Sequence, residues 1–131
     1  MALKISAAGM VAAARARIDE VETGAALALA GDPSVLFVDL RDPREREREG
    51  FIPGAFHCPR GMLEFWVDPD SPYFKPVFGE ERQFILYCAS GWRSALATAV
   101  LQDMGFAAAH LREGFSGWQR AGGPVAFPAA R

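Results

Sequence analysis

Phe84-Ile85-Leu86-Tyr87-Cys88-Ala89-Ser90-Gly91-Trp92-Arg93-Ser94 is the stretch on which the fold turns. Its first four residues are apolar and β-favouring with no polar alternation, as a strand buried on both faces requires. The residues that follow are small or flexible around Gly91. From Ser94 to Met104 an apolar stripe recurs at helical spacing until Gly105 stops it. Strand, tight loop and helix in that order form half of a parallel β–α unit, with Cys88 at the carboxyl end of the strand. Open α/β sheets bind their ligands at such ends.

Working outward, Val35-Leu36-Phe37-Val38 reads as a second buried strand, and Ala107–Leu111 as a third strand candidate. Asp42-Pro43 opens a charged helix over Arg44–Glu49, with Asp42 as N-cap, Pro43 in the first turn, Glu45 three residues after the cap and Gly50 as the stop. Phe51–Ala55 is a turn, Phe56–Cys58 a short strand and Met62–Val67 a short helix. Asp68–Pro76, with three prolines in nine residues, is loop. A glycine turn at Gly114 leads into a last helix, Phe115–Ala121. At the N-terminal side, Met10, Val11, Ala14 and Ile18 predict a helix over Ala7–Glu22, and a second short one follows from Thr23 to Ala30. Gly31-Asp32-Pro33 then breaks the pattern. Alternating strands and helices imply an α/β fold, a central mainly parallel sheet with helices on both faces. The whole chain, 1–131, reads as one domain with an N-terminal helical extension over 7–30.

The composition excludes several classes of function. A net charge of −2 offers no positive surplus for tracking nucleic-acid phosphates, although twelve arginines allow a local anion pocket. No apolar stretch approaches the ~20 residues of a membrane span. Met1–Asp19 lacks the apolar core and small-residue cleavage site of a secretory leader, which leads to the expectation of a cytoplasmic protein. The two cysteines, Cys58 and Cys88, lie thirty positions apart, outside any Cys-x-x-Cys pair, and there are two histidines. A reactive thiol fits this pattern better than a structural disulfide or a metal site, and neither metal nor cofactor is expected.

Cys88 is the candidate nucleophile. A loop of Ala89, Ser90, Gly91 and Trp92 can curl so that amide N–H groups face inward, backed by the N-terminus of the helix at Ser94, and such a nest favours thiolate over thiol. Arg93 adds a permanent charge and a planar fork suited to an oxyanion. The chemistry that fits is attack by a thiolate, with the resulting charge held by the same amides. Arg60, between Pro59 and Gly61, reads equally as surface charge or as a lip of the anion pocket. Cys58 reads as core, with a resolving thiol as the alternative. His57 and His110 read as structural histidines, Asp39 as a structural acceptor, Arg41 as the partner of a carboxylate, and Phe65 and Trp66 as core.

The loop, Cys88-Ala89-Ser90-Gly91-Trp92-Arg93-Ser94, resembles the Cys-x-x-Gly-x-Arg-Ser active-site loop of single-domain rhodaneses. Two flanking stretches agree. Val38-Asp39-Leu40-Arg41-Asp42 with Glu45, followed by Gly50-Phe51-Ile52-Pro53-Gly54-Ala55, is similar to the family's Asp-Val-Arg…Glu…Gly-His-Ile-Pro-Gly-Ala segment. Leu111–Val125 resembles its Leu-x-Gly-Gly-x-x-x-Trp…Gly-x-Pro-Val ending, with Trp118 and Pro124 in place. The likeness runs from about residue 36 to 125. It implies a parallel sheet covered on both sides and a sulfurtransferase in which Cys88 carries a persulfide. Sulfur would come from a donor such as thiosulfate and go to cyanide, a thiol or a protein acceptor, with no cofactor. This sequence has Phe51 for the family's histidine and Glu113 for the first glycine of the Gly-Gly turn. Trp92 should make the mouth of the site more apolar.

Two other functions remain open at this level. Dual-specificity phosphatases and arsenate reductases resemble this Cys-loop-Arg arrangement, but with five residues between cysteine and arginine where Cys88 and Arg93 have four. A shorter ring of amides encloses a smaller volume, better matched to one sulfur than to a tetrahedral oxyanion. A non-catalytic binding module is the third reading, disfavoured by the intact cysteine, glycine and arginine.

Overall fold

Val35–Asp39 (β2) and Gln83–Tyr87 (β4) lie side by side as parallel neighbours in the computed structural model, with Val38 opposite Leu86. The structure describes residues 1–129; the last two positions of the expected 1–131 domain lie outside the described residues. Among the described residues, Phe56–His57 (β3) pairs with the outer edge of β2, Ala109–Leu111 (β5) with the other side of β4, and Asp19–Val21 (β1) with the outer edge of β5. The order is β1-β5-β4-β2-β3, all parallel.

The pleat sorts side chains to two cores. Leu36, Val38, Phe84 and Leu86 face one side, where Leu63, Val67, Ala97 and Leu101 from helices Leu63–Val67 (α4) and Trp92–Met104 (α5) pack on them. Val35, Phe37, Ile85 and Tyr87 face the other, covered by Ala26 of Thr23–Ala28 (α2) and by Phe115 and Trp118 of Gly114–Arg120 (α6). Continuous apolar runs in β2 and β4 are therefore what a sheet buried on both faces needs. Pro43–Glu49 (α3) leaves the end of β2 and is closed by the expected capping box: Asp42 accepts from the Arg44 amide at 2.8 Å, and Glu45 accepts from the Asp42 amide at 3.1 Å.

The N-terminal region departs from the expected helical extension over 7–30. The first helix, Ala7–Arg15 (α1), ends seven residues short of Glu22, and β1 intervenes before α2. Helical spacing favoured the longer helix, but Asp19, Glu20 and Val21 gain main-chain pairing with Ala109, His110 and Leu111. Local propensity is a weak force beside a sheet edge that would otherwise stay open. Ile18 keeps its inward role, packed against the small cluster of Val11, Ala14, Ala95 and Ala99 where α1 lies on α5. Other boundaries shift as well: α5 begins at Trp92, two residues before Ser94, and β5 at Ala109, two residues after Ala107; Arg60–Met62 forms a 3₁₀ turn before α4, and Pro76–Gly79 another at the end of the proline loop. No helix among the described residues is long and apolar enough to cross a membrane.

Candidate active site

The strand β4 ends at Tyr87, so Cys88 is delivered to the carboxyl edge of the sheet, 1% exposed. The chain then turns through Ala89 and the exposed Ser90 to Gly91, whose φ of +91° suits a residue without a Cβ. That conformation aims the Gly91 amide at Cys88 Sγ, 3.2 Å away. A Cβ at Gly91 would stand 2.2 Å from the Arg112 carbonyl oxygen, so the turn is also a close approach to the segment after β5. Gly91 is the N-cap of the 13-residue α5, which places the positive end of that helix beside the sulfur.

The loop is gripped from behind by α6. The Phe115 amide donates to the Cys88 carbonyl at 2.8 Å and the Ser116 amide to the Ala89 carbonyl at 3.0 Å. Gly114 permits this contact: its φ is +66°, and a Cβ there would lie 2.5 Å from the Ala89 oxygen. Glu113, by contrast, sits at φ −93°, where any residue is at ease, so the family's first glycine is dispensable here. Phe51 likewise has a packing role, with the Arg46 guanidinium 4.2 Å over its ring.

Arg93 points back across the loop mouth and is clasped by Glu45, at 2.8 and 2.9 Å through both terminal nitrogens. This bidentate pair dominates both groups. It holds the Glu45 carboxyl well down, at about 2, and raises Arg93 further above the range in which it could lose its charge. The guanidinium also faces Cys88, whose sulfur adds to that rise. Trp92 is 48% exposed at the rim. Ser94 is fully buried beneath the sulfur, 3.6 Å from Sγ. Arg60 is turned to another surface, paired with Glu64 at 2.8 Å and bordering, with Met10, Arg17 and Leu96, a groove between α1 and α5.

Cys58 lies in the core among Leu63, Leu86 and Ala97, and burial pushes its thiol up to about 12. Asp39 is a wholly buried acceptor that takes bonds from the Arg41 amide and guanidinium, Arg46 and the Tyr87 hydroxyl. This buried network fixes the strand ends on which the loop is built. No group of three or more His, Cys, Asp or Glu side chains among the described residues could hold a metal.

Two contributors escaped the residue-by-residue reading. Glu45 was legible only as a cap, because its bond to Arg93 spans 48 positions. His110, read as structural, reaches Ser94 with Nδ1 at 2.8 Å, and its Nε2 meets Glu20 at 2.9 Å.

The same architecture recurs in known proteins. A sulfurtransferase of Allochromatium vinosum is 34% identical over 101 residues, covering 76% of this chain and 86% of that protein. The crystal structure of a thiosulfate sulfurtransferase from Pseudomonas aeruginosa superposes with a TM-score of 0.73 at 26% identity, over 95% of this chain and 23% of that one. A Rhodopseudomonas palustris protein of unknown function, described as a possible tyrosine phosphatase, superposes with a TM-score of 0.92 at 49% identity, over 96% of this chain and 98% of that one. The profile of the rhodanese-like domain matches residues 22–121, from the end of β1 through α6, so that the strand-end cysteine, its glycine turn and the helix gripping it all fall inside the match. By sequence and by fold, this chain belongs to the rhodanese-like domain family.

Proposed function

We propose that this chain is a sulfurtransferase that carries sulfur as a persulfide on Cys88. The observation that carries the reading is the Gly91 amide 3.2 Å from Cys88 Sγ, at the N-terminus of α5 and beside Arg93. The amide, the helix N-terminus and the guanidinium each favour a sulfur anion there, the last with its charge partly offset by the paired Glu45. In the first half-reaction the thiolate attacks the outer sulfur of thiosulfate. The S–S bond of the donor breaks, sulfite leaves with the bonding pair, and Cys–S–S⁻ remains. In the second, an acceptor such as cyanide, a small thiol or a protein thiolate takes the outer sulfur and returns the Cys88 thiolate. The anion held by the loop is then the same in kind before and after each transfer, so the site needs no reorganisation between steps. The sulfurtransferase names of the A. vinosum and P. aeruginosa relatives support this reading. In it, the chain works as one rhodanese-like domain in a cytoplasmic setting, where free thiols persist. Arg93 orients and steadies charge, since both its terminal nitrogens are already engaged by Glu45.

A phosphatase reading is suggested by the description of the R. palustris relative. Against it stand the four-residue spacing from Cys88 to Arg93 and the engagement of Arg93 by Glu45, which leaves no free fork for a phosphoryl group. The test is intact mass after incubation with thiosulfate, with aryl-phosphate hydrolysis measured on the same sample. One added sulfur atom, lost in Cys88→Ser and kept in Cys58→Ser, is the expected result. An adduct that follows Cys58, or brisk phosphate hydrolysis with no sulfur uptake, overturns the assignment.

A further inference from the structure

Behind the reacting sulfur runs a single file of polar groups that crosses the sheet to its far edge. The Cys88 thiol lies 3.6 Å from Ser94 Oγ, Ser94 Oγ lies 2.8 Å from His110 Nδ1, and His110 Nε2 lies 2.9 Å from Glu20 Oε2. Four different elements supply the four residues: the loop after β4, α5, β5 and β1. Cys88, Ser94 and His110 are each at most 1% exposed, so the two inner bonds are shut off from bulk water, and only the Glu20 end, part-buried on the edge strand, opens toward it. We infer that His110 and Glu20 are positioning residues for sulfur transfer, forming with Ser94 a buried relay through which the Cys88 proton is drawn off the sulfur.

The direction of the bonds carries this inference, which rests on Cys88 being the nucleophile. Glu20 is a carboxylate: burial opposes its charge, but hydrogen bonds from His110 and Arg15 prevail and keep it below the ordinary carboxyl range. A carboxylate accepts only, so Nε2 bears the proton and Nδ1 of the neutral ring is an acceptor. The Ser94 hydroxyl therefore donates to Nδ1 and turns its lone pairs toward Cys88, whose thiol donates to it. Each group donates to the next without conflict.

The transfer balances within the chain. The Sγ–H proton passes to Ser94 Oγ while the Ser94 proton passes to Nδ1, leaving a thiolate, an intact serine and an imidazolium against Glu20. One S–H bond breaks, one N–H bond forms and Ser94 exchanges its O–H; no bond between two heavy atoms changes, and no co-reactant is required. Afterwards Nδ1–H donates to Ser94, and the Ser94 hydroxyl donates to the sulfur anion, which then has a second donor beside the Gly91 amide. The groups that face His110 set its resting state. Glu20 of β1 favours the imidazolium. Burial, the largest influence, together with Arg15 of α1 and Arg112 after β5, holds the ring below its ordinary value. Arg112 is itself turned partly to Glu22, at 3.1 Å. His110 thus waits as an acceptor and takes charge when a thiolate forms opposite it. A histidine that only filled space would have no need of a carboxylate brought from the sheet edge 90 positions away.

The experiment is the rate at which methyl methanethiosulfonate labels Cys88, read by peptide mass across a pH series, in the parent, His110→Asn and Glu20→Gln. In the parent an internal proton acceptor keeps part of the thiol ionised, so between about pH 6 and pH 8 the rate rises by clearly less than tenfold per pH unit. Asparagine can accept the Ser94 hydrogen bond but cannot take a proton, so in His110→Asn the rate rises about tenfold per pH unit and falls roughly tenfold below the parent near pH 7. Glu20→Gln keeps the bond and removes the charge, and steepens the profile in the same sense. A purely structural role would lower the whole profile without changing its slope. Parallel profiles in parent and variants, or a tenfold-per-unit slope already in the parent, overturn the relay. If His110→Asn does not fold, Glu20→Gln, on the edge strand, decides alone. Sulfur loading from thiosulfate separates the two levels: normal loading with parallel profiles removes only the relay, whereas no labelling and no loading at Cys88 removes the sulfurtransferase reading as well.

Discussion

Replacing Gly91 by alanine strikes the Cys88 loop at the point where backbone shape and the proposed chemistry coincide. The residue sits at φ +91°, a region that costs an L-residue roughly 1–2 kcal/mol. The new methyl would stand 2.2 Å from the Arg112 carbonyl oxygen, about an ångström inside ordinary contact. That oxygen cannot simply retreat, because the Arg112 amide is tied to the Val21 carbonyl at 3.0 Å. Overpacking against fixed backbone adds roughly 1–3 kcal/mol, so about 3 kcal/mol of stability should go. Gly105 provides the control. Its φ is +87°, nearly the same, but a Cβ there meets nothing within 4 Å, so Gly105→Ala should cost only the strain, about 1 kcal/mol. Activity should separate the two further. Relieving the clash moves the Gly91 amide away from Cys88 Sγ, and displacing a catalytic group by an ångström is worth about 10²-fold in rate. Urea unfolding and thiosulfate-to-cyanide sulfur transfer, measured on both variants, check this. If Gly91→Ala matches Gly105→Ala in stability and transfers sulfur at the parental rate, the account of the loop as a rigid amide cradle is wrong.

Two further substitutions test the supports of the site. Glu45→Gln should cost about 1–2 kcal/mol at neutral pH, a discounted figure because Arg93 is 41% exposed and its charge is partly screened. The folded carboxyl is held down at about 2, so this contribution is complete above the ordinary carboxyl range and disappears as the pH falls toward that value. Urea midpoints of parent and variant should therefore converge on acidification, and a gap that persists at acid pH would deny the ion pair its role. Asp39→Asn removes the carboxylate hydrogen-bonded to the fully buried Arg41, leaving it only Glu49 at 3.7 Å, and should destabilise by about 3 kcal/mol, read as a clear fall in Tm. An unchanged Tm would show that the network around Asp39 is dispensable.

The cysteine loop, the helix capped by Asp42 and the two central strands were legible because each is specified by neighbours in the chain. Four apolar residues in a row leave no solvated face; Asp42 and Glu45 satisfy orphan amides within a single turn, and Pro43 has none to satisfy. The edge strand β1 was not legible. It has three residues, one of them apolar, and its only reason to extend is the exposed edge of β5. Arg60 was balanced between two roles, and its bond to Glu64 on the next turn of chain drew it to a different face.

What the sequence by itself determined is the chemistry at the loop: a thiol at the end of a buried strand, a glycine free to take positive φ, and a helix whose N-terminus follows at once. These are short-range properties, fixed by covalent geometry and hydrogen bonds within a few residues. What only the tertiary structure decided is the company that loop keeps. Glu45 reaches Arg93 over 48 positions, α6 binds the loop carbonyls, and Glu20 reaches His110 over 90 positions because β1 adds to β5 at the far edge of the sheet. Such contacts depend on strand order and on which face each side chain takes. Both are set by burying two apolar faces at once, a requirement of the whole chain that no local stretch contains.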